Sequence, residues 1–192
     1  MSEAQPVQAA GDQRPHSIFG SAPRIVTERL ILRAFNGSDY EPFKAMMAEP
    51  KVFEHLGGKP INDEEAMRRL SMYAGFWQVM GVGMWAAEDS ATGELVGQVG
   101  TFDLHRELAP PISDTLEMGW IFATRTHGKG LAREACDAVL DWIQANIGAC
   151  DLFAIIGIGN AASMKLAERL GFDRRDDAIY KDEPIAVFLR PA

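Results

Sequence analysis

Cysteine is scarce in this sequence: only Cys136 and Cys150 occur among its 192 residues. Two cysteines do not make a disulfide framework, and no group of cysteine and histidine residues has the spacing of metal ligands. We therefore expect neither disulfides nor a bound metal. We also predict that Cys136 is packed rather than nucleophilic, because no partner base for a cysteine nucleophile can be assigned.

Long apolar segments and an excess of basic residues are also missing. No apolar run approaches the roughly 20 residues that span a bilayer, and residues 1–20 lack the basic start and apolar core of a signal peptide. The 19 lysine and arginine residues against 27 aspartate and glutamate residues give a net charge of -8, which argues against a nucleic-acid partner. We expect a cytoplasmic protein that binds neither membranes nor nucleic acid.

The sequence does contain enough apolar material for one domain. A hydrophobic content of 47% is ordinary for a globular protein, and 192 residues suit a single domain. Residues 1–22 are rich in alanine, glutamine, proline, glycine and serine, so we predict a flexible N-terminal leader, although Ile18 and Phe19 could dock on the domain. We place the domain at residues 23–192.

Hydrophobic periodicity and turn residues predict alternating strands and helices. Residues 25–33 read as a first strand, and Ser38 then caps a helix that Pro50 closes. Asn62 caps a second helix towards Met80. The later predicted elements are strands at 82–88, 95–104, 114–123 and 152–156, helices at 131–148 and 161–170, and two strands within 172–189. The order β-α-α-β-β-β-α-β-α-β-β predicts a mixed sheet with helices packed on it.

A glycine pair lies where a predicted strand turns into a helix. Gly128 and Gly130 precede Leu131, from which apolar residues recur at helical spacing. The first turn of a helix has unpaired N–H groups and the positive end of the macrodipole, and glycine lets an anion approach those amides. Three basic residues add positive charge nearby: Arg125, Lys129 and Arg133. We predict a phosphate-binding loop, with a purely structural glycine turn as the alternative.

The residues of this loop indicate which phosphate loop it is. No lysine followed by serine or threonine ends it, which excludes a nucleotide P-loop, and Arg133 stands where a dinucleotide fingerprint needs its third glycine. The run Arg-x-x-Gly-x-Gly-Leu-Ala-x-Glu-Ala at residues 125–135 resembles the acetyl-CoA pyrophosphate loop of the GCN5-related N-acetyltransferase (GNAT) family.

Other stretches carry the same resemblance in the order and spacing of that family. Residues 27–33 are similar to the opening strand of the ribosomal-protein N-terminal acetyltransferase (RimJ/RimL-like) branch. Residues 117–120 lead into the phosphate loop, and residues 160–163 are followed by the Leu-Gly-Phe at 170–172. The resemblance covers residues 24–190. It implies the α/β GNAT fold, a central mixed and mostly antiparallel sheet flanked by helices, with acetyl-CoA as cosubstrate.

The resemblance also implies where acetyl-CoA binds. The backbone of Ile121, Phe122 and Ala123 would pair with the pantetheine arm and receive the thioester oxygen. Asn160 would bond the pantetheine amide, with a plain helix N-cap as the alternative. The pyrophosphate would lie on the loop itself, at Arg125, His127, Gly128, Lys129, Gly130, Leu131 and Ala132.

Two residues are candidates for catalysis. Glu117 is the best candidate base, directly or through a water, with a carboxylate that only fixes the sheet or orients the amine as the alternative. The family often has a tyrosine as general acid four residues before the Gly-Phe pair, where this chain has Ala167. Ser163, in the first turn of a helix expected to face the cofactor sulfur, is the best replacement, unless its hydroxyl bonds nearby backbone. His127 also stands where the branch often has a large aromatic residue.

The leading hypothesis is therefore an acetyl-CoA-dependent N-acetyltransferase, an enzyme that moves an acetyl group to a primary amine by direct attack on the thioester. The acceptor is either a protein N-terminal α-amine or a small-molecule amine. A non-catalytic CoA-binding sensor or scaffold is the alternative, which the missing tyrosine keeps open. We expect a monomer or a homodimer.

Overall fold

The computed structural model of this protein describes residues 20–112 and 115–192. The predicted leader, with Ile18 and Phe19, lies outside the described residues except for positions 20–22. The Trp85 indole donates to the Pro23 carbonyl at 2.7 Å, so the chain is tied to the sheet from that residue onwards. Within the described part, no helix combines the length and apolar character needed to cross a bilayer.

One sheet contains every strand of the described residues. The strands are β1 (Ile25–Val26), β2 (Leu30–Arg33), β3 (Met84–Asp89), β4 (Leu95–Phe102), β5 (Leu116–Phe122), β6 (Leu152–Gly157), β7 (Asp173–Arg174), β8 (Ala178–Tyr180) and β9 (Glu183–Arg190). Their spatial order is β1-β2-β3-β4-β5-β6-β9-β7, with β8 paired to β9. The strand pairs are antiparallel except β5 with β6, which is parallel.

Helices cover both faces of the sheet. They are α1 (Tyr40–Met47), α2 (Pro50–Phe53), α3 (Asp63–Met80), α4 (Leu131–Asn146) and α5 (Ala161–Arg169). Successive side chains of a strand point to opposite faces. Met84 and Ala86 of β3 accordingly join the core cluster of α1 and α3, whereas Trp85 joins the cluster that contains Ala135 and Val139 of α4. This arrangement confirms the predicted mixed, mostly antiparallel sheet flanked by helices.

Several boundaries differ from the prediction for local reasons. The first strand is interrupted after Val26, because the hydroxyl and amide of Thr27 both turn back to the Leu30 carbonyl. Asn36, not Ser38, caps the first helical turn. Pro50 begins α2 at a position where its missing N–H costs nothing. Asn62 does cap α3 as predicted, accepting the Glu65 amide at 2.8 Å.

The sheet opens between β5 and β6. These strands pair only at Leu116 with Leu152 and at Glu117 with Phe153. Beyond that point β5 continues along β4 to Phe122, while β6 continues along β9 to Gly157. A gap bounded by the two strands therefore widens towards the C-terminal end of β5, from which the chain passes into the glycine loop.

Candidate functional site

The β5–β6 gap exposes backbone groups along one edge of β5. The Ala123 amide donates to the Val96 carbonyl at 2.9 Å, so Ala123 faces β4. Residues of an antiparallel pair alternate between bonded and non-bonded positions, which turns Ile121 towards β4 and the backbone of Trp120 and Phe122 towards the gap. Of the three residues predicted to pair with pantetheine, Phe122 thus has the appropriate orientation. Trp120 is a gap-facing residue that the sequence reasoning missed.

His127 contacts one of these gap-facing groups. Its Nε2 lies 3.0 Å from the Phe122 carbonyl oxygen. A carbonyl can only accept, so Nε2 must carry the proton and donate. The imidazole therefore covers the acceptor that an incoming amide N–H would otherwise use.

The glycine loop leaves a cluster of amides unused. A 3₁₀ helix at Thr124–Thr126 leads into the loop, and α4 starts after Gly130. The amides of His127 and Lys129 donate to carbonyls inside the loop. Those of Gly128 and of residues 130–133 donate to no acceptor in the described part of the chain. Free amide donors at a helix N-terminus are the feature on which the prediction of a phosphate-binding loop rests.

The two glycines are required by the backbone conformation of the loop. Gly128 has a φ of +75° and Gly130 a φ of +79°, in the left-handed region that residues with a Cβ rarely adopt. A Cβ on Gly128 would meet nothing within 4 Å, and one on Gly130 would meet only the Arg29 guanidinium at 3.5 Å. Open space thus lies over both positions, as a bound phosphate needs.

The three basic side chains near the loop differ in their partners. The Arg125 guanidinium bonds Glu94 and the Leu95 carbonyl, so it fastens the loop to the start of β4. Arg133 pairs with Asp137 one turn further along α4. The Lys129 ammonium has no carboxylate partner among residues 20–112 and 115–192, and its side chain is free to approach an anion.

The opening strand is fastened to the same loop. The Glu134 carboxylate, in the first turn of α4, accepts bonds from the Thr27 hydroxyl, the Arg29 amide and the Arg29 guanidinium at 2.6, 2.8 and 2.7 Å. The guanidinium also donates to the Lys129 carbonyl at 2.8 Å. Two stretches that carried the family resemblance are thus in direct contact, although 105 residues separate Arg29 from Glu134.

Glu117 lies in a buried ion pair. Both of its carboxylate oxygens accept bonds from the Arg106 guanidinium, which in turn donates to the Tyr180 hydroxyl at 2.7 Å. Burial raises the pKa of the Glu117 carboxyl, and the Arg106 guanidinium acts in the opposite direction. Arg106 and Tyr180 lie in segments without a recognisable motif, so the sequence offered no signal for them.

The start of α5 lies on the other side of the gap, at the end of β6. Asn160 caps α5 by accepting the Ser163 amide at 3.1 Å, which leaves its NH₂ group for another partner. Ser163 is half-buried, and Ala167, one turn further on the same face, is fully buried. Ser163 thus occupies the N-terminal end of the α5 face that packs inwards.

Burial also raises the pKa of the Cys136 thiol, and this fully buried cysteine is packed as predicted.

Comparison with known proteins agrees with this geometry. A family model for the acetyltransferase (GNAT) domain matches residues 29–173. The Bacillus subtilis protein YkkB is 31% identical over 169 residues, which cover 87% of this chain and 95% of YkkB. An acetyltransferase structure from Agrobacterium tumefaciens matches with a TM-score of 0.76 and 27% identity, covering 90% of this chain and 96% of the other.

A further structural match bears on the fold alone. The ribosomal-protein-S5-alanine acetyltransferase from Vibrio fischeri matches with a TM-score of 0.69 and 15% identity, covering 88% of this chain and 97% of the other. The region matched by the family model runs from β2 through α5 and includes the gap and the glycine loop. The chain therefore belongs to the GNAT family of acetyltransferases, whose members take the acetyl group from acetyl-CoA.

Proposed function

We propose that this protein acetylates a primary amine, and that its preferred acceptors are protein N-terminal α-amines or small amines of similarly low pKa. The observation that carries the proposal is the continuity of the gap-facing edge of β5 with the free amides of the glycine loop. An extended arm that ends in a diphosphate fits this donor set, because strand-like pairing and anion binding follow one another along the same path.

Specific residues would hold acetyl-CoA in this arrangement. Trp120 and Phe122 would pair with the pantetheine arm through their backbone groups, and the His127 ring would leave the Phe122 carbonyl. The amides of Gly128 and of residues 130–133 would hold the diphosphate, with Asn160 offering its NH₂ group across the gap. The bound cosubstrate supplies an acetyl thioester, which the amine attacks directly.

The chain itself provides candidates for both proton transfers. Glu117 would take a proton from the attacking amine, directly or through a water, and Arg106 would hold its carboxylate in one orientation. Ser163 would give a proton to the departing thiolate. Burial raises the pKa of Glu117 and so favours proton uptake, but the Arg106 guanidinium bonds both of its oxygens and acts in the opposite direction.

The acceptor preference rests on pKa arithmetic. A lysine side chain has a pKa of about 10.4 and an α-amino group about 7.7–8.0, so near neutral pH a far larger fraction of the α-amine is already uncharged. A lysine-directed enzyme therefore needs a stronger base or a desolvating pocket. Here the candidate base is Glu117, whose two carboxylate oxygens already accept bonds from the Arg106 guanidinium, and the family tyrosine is absent. The similarity of residues 27–33 to the RimJ/RimL-like branch supports the same preference by analogy.

Peptide acetylation tests this preference. We expect kcat/KM on short peptides with a free N-terminus and no lysine to exceed that on N-blocked, lysine-containing peptides by roughly 10- to 100-fold at pH 7. This difference in kcat/KM should shrink as the pH rises and lysine loses its proton. Faster turnover of the blocked lysine peptides would contradict the proposed acceptor class.

A second prediction concerns Ser163. Replacing Ser163 by alanine should lower kcat by about tenfold or more while KM for acetyl-CoA changes little, because the hydroxyl would act on the leaving thiolate rather than on binding. Ser71→Ala, on an exposed position of α3, serves as the matched control. An unchanged kcat in Ser163→Ala would assign this hydroxyl to the structure of α5 and the proton transfer to solvent.

The buried Ala167, in the position of the family tyrosine, favours one other candidate function. Without a general acid, the domain could bind CoA as a sensor or scaffold and catalyse nothing. Thiol release from acetyl-CoA with a panel of amines, beside calorimetric binding, separates the two functions. Binding without release on any amine would favour the sensor.

A further inference from the structure

Glu134 presents an electrostatic problem for a phosphate site. Its carboxylate is in the first turn of α4, beside the free amides of residues 130–133. An acidic residue there suits the helix dipole, but its negative charge also repels any anion that binds the same amides. Glu134 is ionised near neutral pH: burial alone would raise its pKa, but the bonds from Thr27 and Arg29 lower it overall.

The Arg29 side chain offsets the negative charge of Glu134. The Arg29 guanidinium bonds the Glu134 carboxylate at 2.7 Å and donates to the Lys129 carbonyl at 2.8 Å. It therefore offsets the carboxylate charge and also occupies the carbonyl oxygen of one loop residue. The Arg29 side chain is 47% exposed and the Glu134 side chain only 16%, so the guanidinium is the more solvent-exposed partner of this ion pair.

We propose that Arg29 is a positioning residue for the diphosphate of acetyl-CoA, acting by neutralising Glu134 and by fixing the Lys129 carbonyl. The proposal rests on the proposed function of the glycine loop. Arg29 acts through its two partners, without contact to the reacting atoms. The Thr27 hydroxyl and the Arg29 amide keep Glu134 in place, so these two groups provide the attachment and the guanidinium provides the charge balance.

Charge-balance mutants test the proposal. Arg29→Ala should weaken acetyl-CoA binding about tenfold, since one uncompensated carboxylate then faces the diphosphate. The double variant Arg29→Ala/Glu134→Gln should regain most of that loss, because no charge remains to be cancelled. Arg29→Gln is a second single variant that removes the charge but keeps a polar side chain. Arg68→Ala removes an exposed guanidinium from an ion pair on α3 and serves as the control.

A substrate without phosphate makes the test specific. With S-acetyl-pantetheine, which lacks the diphosphate, kcat/KM of Arg29→Ala should stay within about twofold of the wild type. An equal loss on both substrates, or a double variant no better than Arg29→Ala, would overturn the proposal. So would wild-type affinity for acetyl-CoA in both single variants. A wild-type protein that binds no acetyl-CoA in calorimetry would overturn the proposed function as well.

Discussion

Valine at positions 128 and 130 is expected to weaken acetyl-CoA binding by at least about 100-fold. Both positions have positive φ values, +75° and +79°, which a β-branched residue adopts only with strain of the order of 1–3 kcal/mol. The valine side chains would also fill the open space over the free amides, where the diphosphate is proposed to lie. Isothermal calorimetry on the folded double variant measures the effect.

A matched control at Gly148 separates the effect of backbone strain from the effect of blocking the free amides. Gly148, beyond the other end of α4, has a φ of +94°, and a Cβ at this position would meet no atom within 4 Å. Gly148→Val therefore imposes comparable strain away from the loop, and we expect it to lower the free energy of unfolding and leave the affinity unchanged. Lys129→Ala should change affinity only about threefold, because an exposed charge is screened. Wild-type affinity in the folded Gly128/Gly130 double variant would refute the loop assignment.

Arg106→Ala is expected to lower the free energy of unfolding by about 3–5 kcal/mol, the usual cost of leaving a buried carboxylate without its partner. The Glu117 and Arg106 side chains are only 5% and 16% exposed, so solvent cannot replace the lost guanidinium. Urea unfolding measures the loss. Replacing both residues by methionine should recover much of it, because no charge is then buried.

The pH dependence of this loss has a definite sign. Burial already raises the pKa of Glu117, and removal of Arg106 raises it further. A carboxyl whose pKa is higher in the folded state than in the unfolded state stabilises the fold only while it is protonated. The difference between Arg106→Ala and wild type should therefore be largest at neutral pH and shrink as the pH falls towards the unfolded pKa of about 4.3. A constant difference from pH 4 to 8 would show that charge burial is not the cause.

Variants of the Glu117–Arg106 pair also distinguish the two candidate roles of Glu117. If Glu117 is the base, Glu117→Gln should lower kcat/KM by roughly 100-fold or more, with a smaller loss on amines of lower pKa. If Glu117 only fixes the sheet, the decrease in kcat/KM should parallel the decrease in the free energy of unfolding and be equal for all amines. Arg106→Lys retains the charge but lacks the two parallel donors, and its effect on kcat measures how much the orientation of the carboxylate matters.

The glycine loop and the caps could be predicted from the sequence because their signals are local. A left-handed backbone requires glycine, so Gly128 and Gly130 show where the strand ends and α4 begins. Asn62 and Asn160 each accept the amide three residues later, within the segment that the sequence pattern predicts as a helix. The mixed sheet followed from the order of these segments.

Some local predictions were wrong where a competing contact was stronger. The strand predicted over residues 25–33 is interrupted because Thr27 bonds both the Leu30 carbonyl and the distant Glu134. Ser38 and Asn36 are both good capping residues, and only the backbone geometry selects Asn36. Sequence periodicity does not distinguish such alternatives, since both residues satisfy the same rule.

The sequence by itself determined the conformation of the glycine loop and the start of α4, because backbone conformation and unpaired amides depend on neighbouring residues. Only the tertiary structure decided the charge partners of the site. Arg29 and Glu134 are 105 residues apart, and Arg106 and Tyr180 are 74 apart. Before folding, each of these side chains resembles any solvated surface residue. It acquires a specific role only when the sheet brings distant segments together and removes water from between their charges.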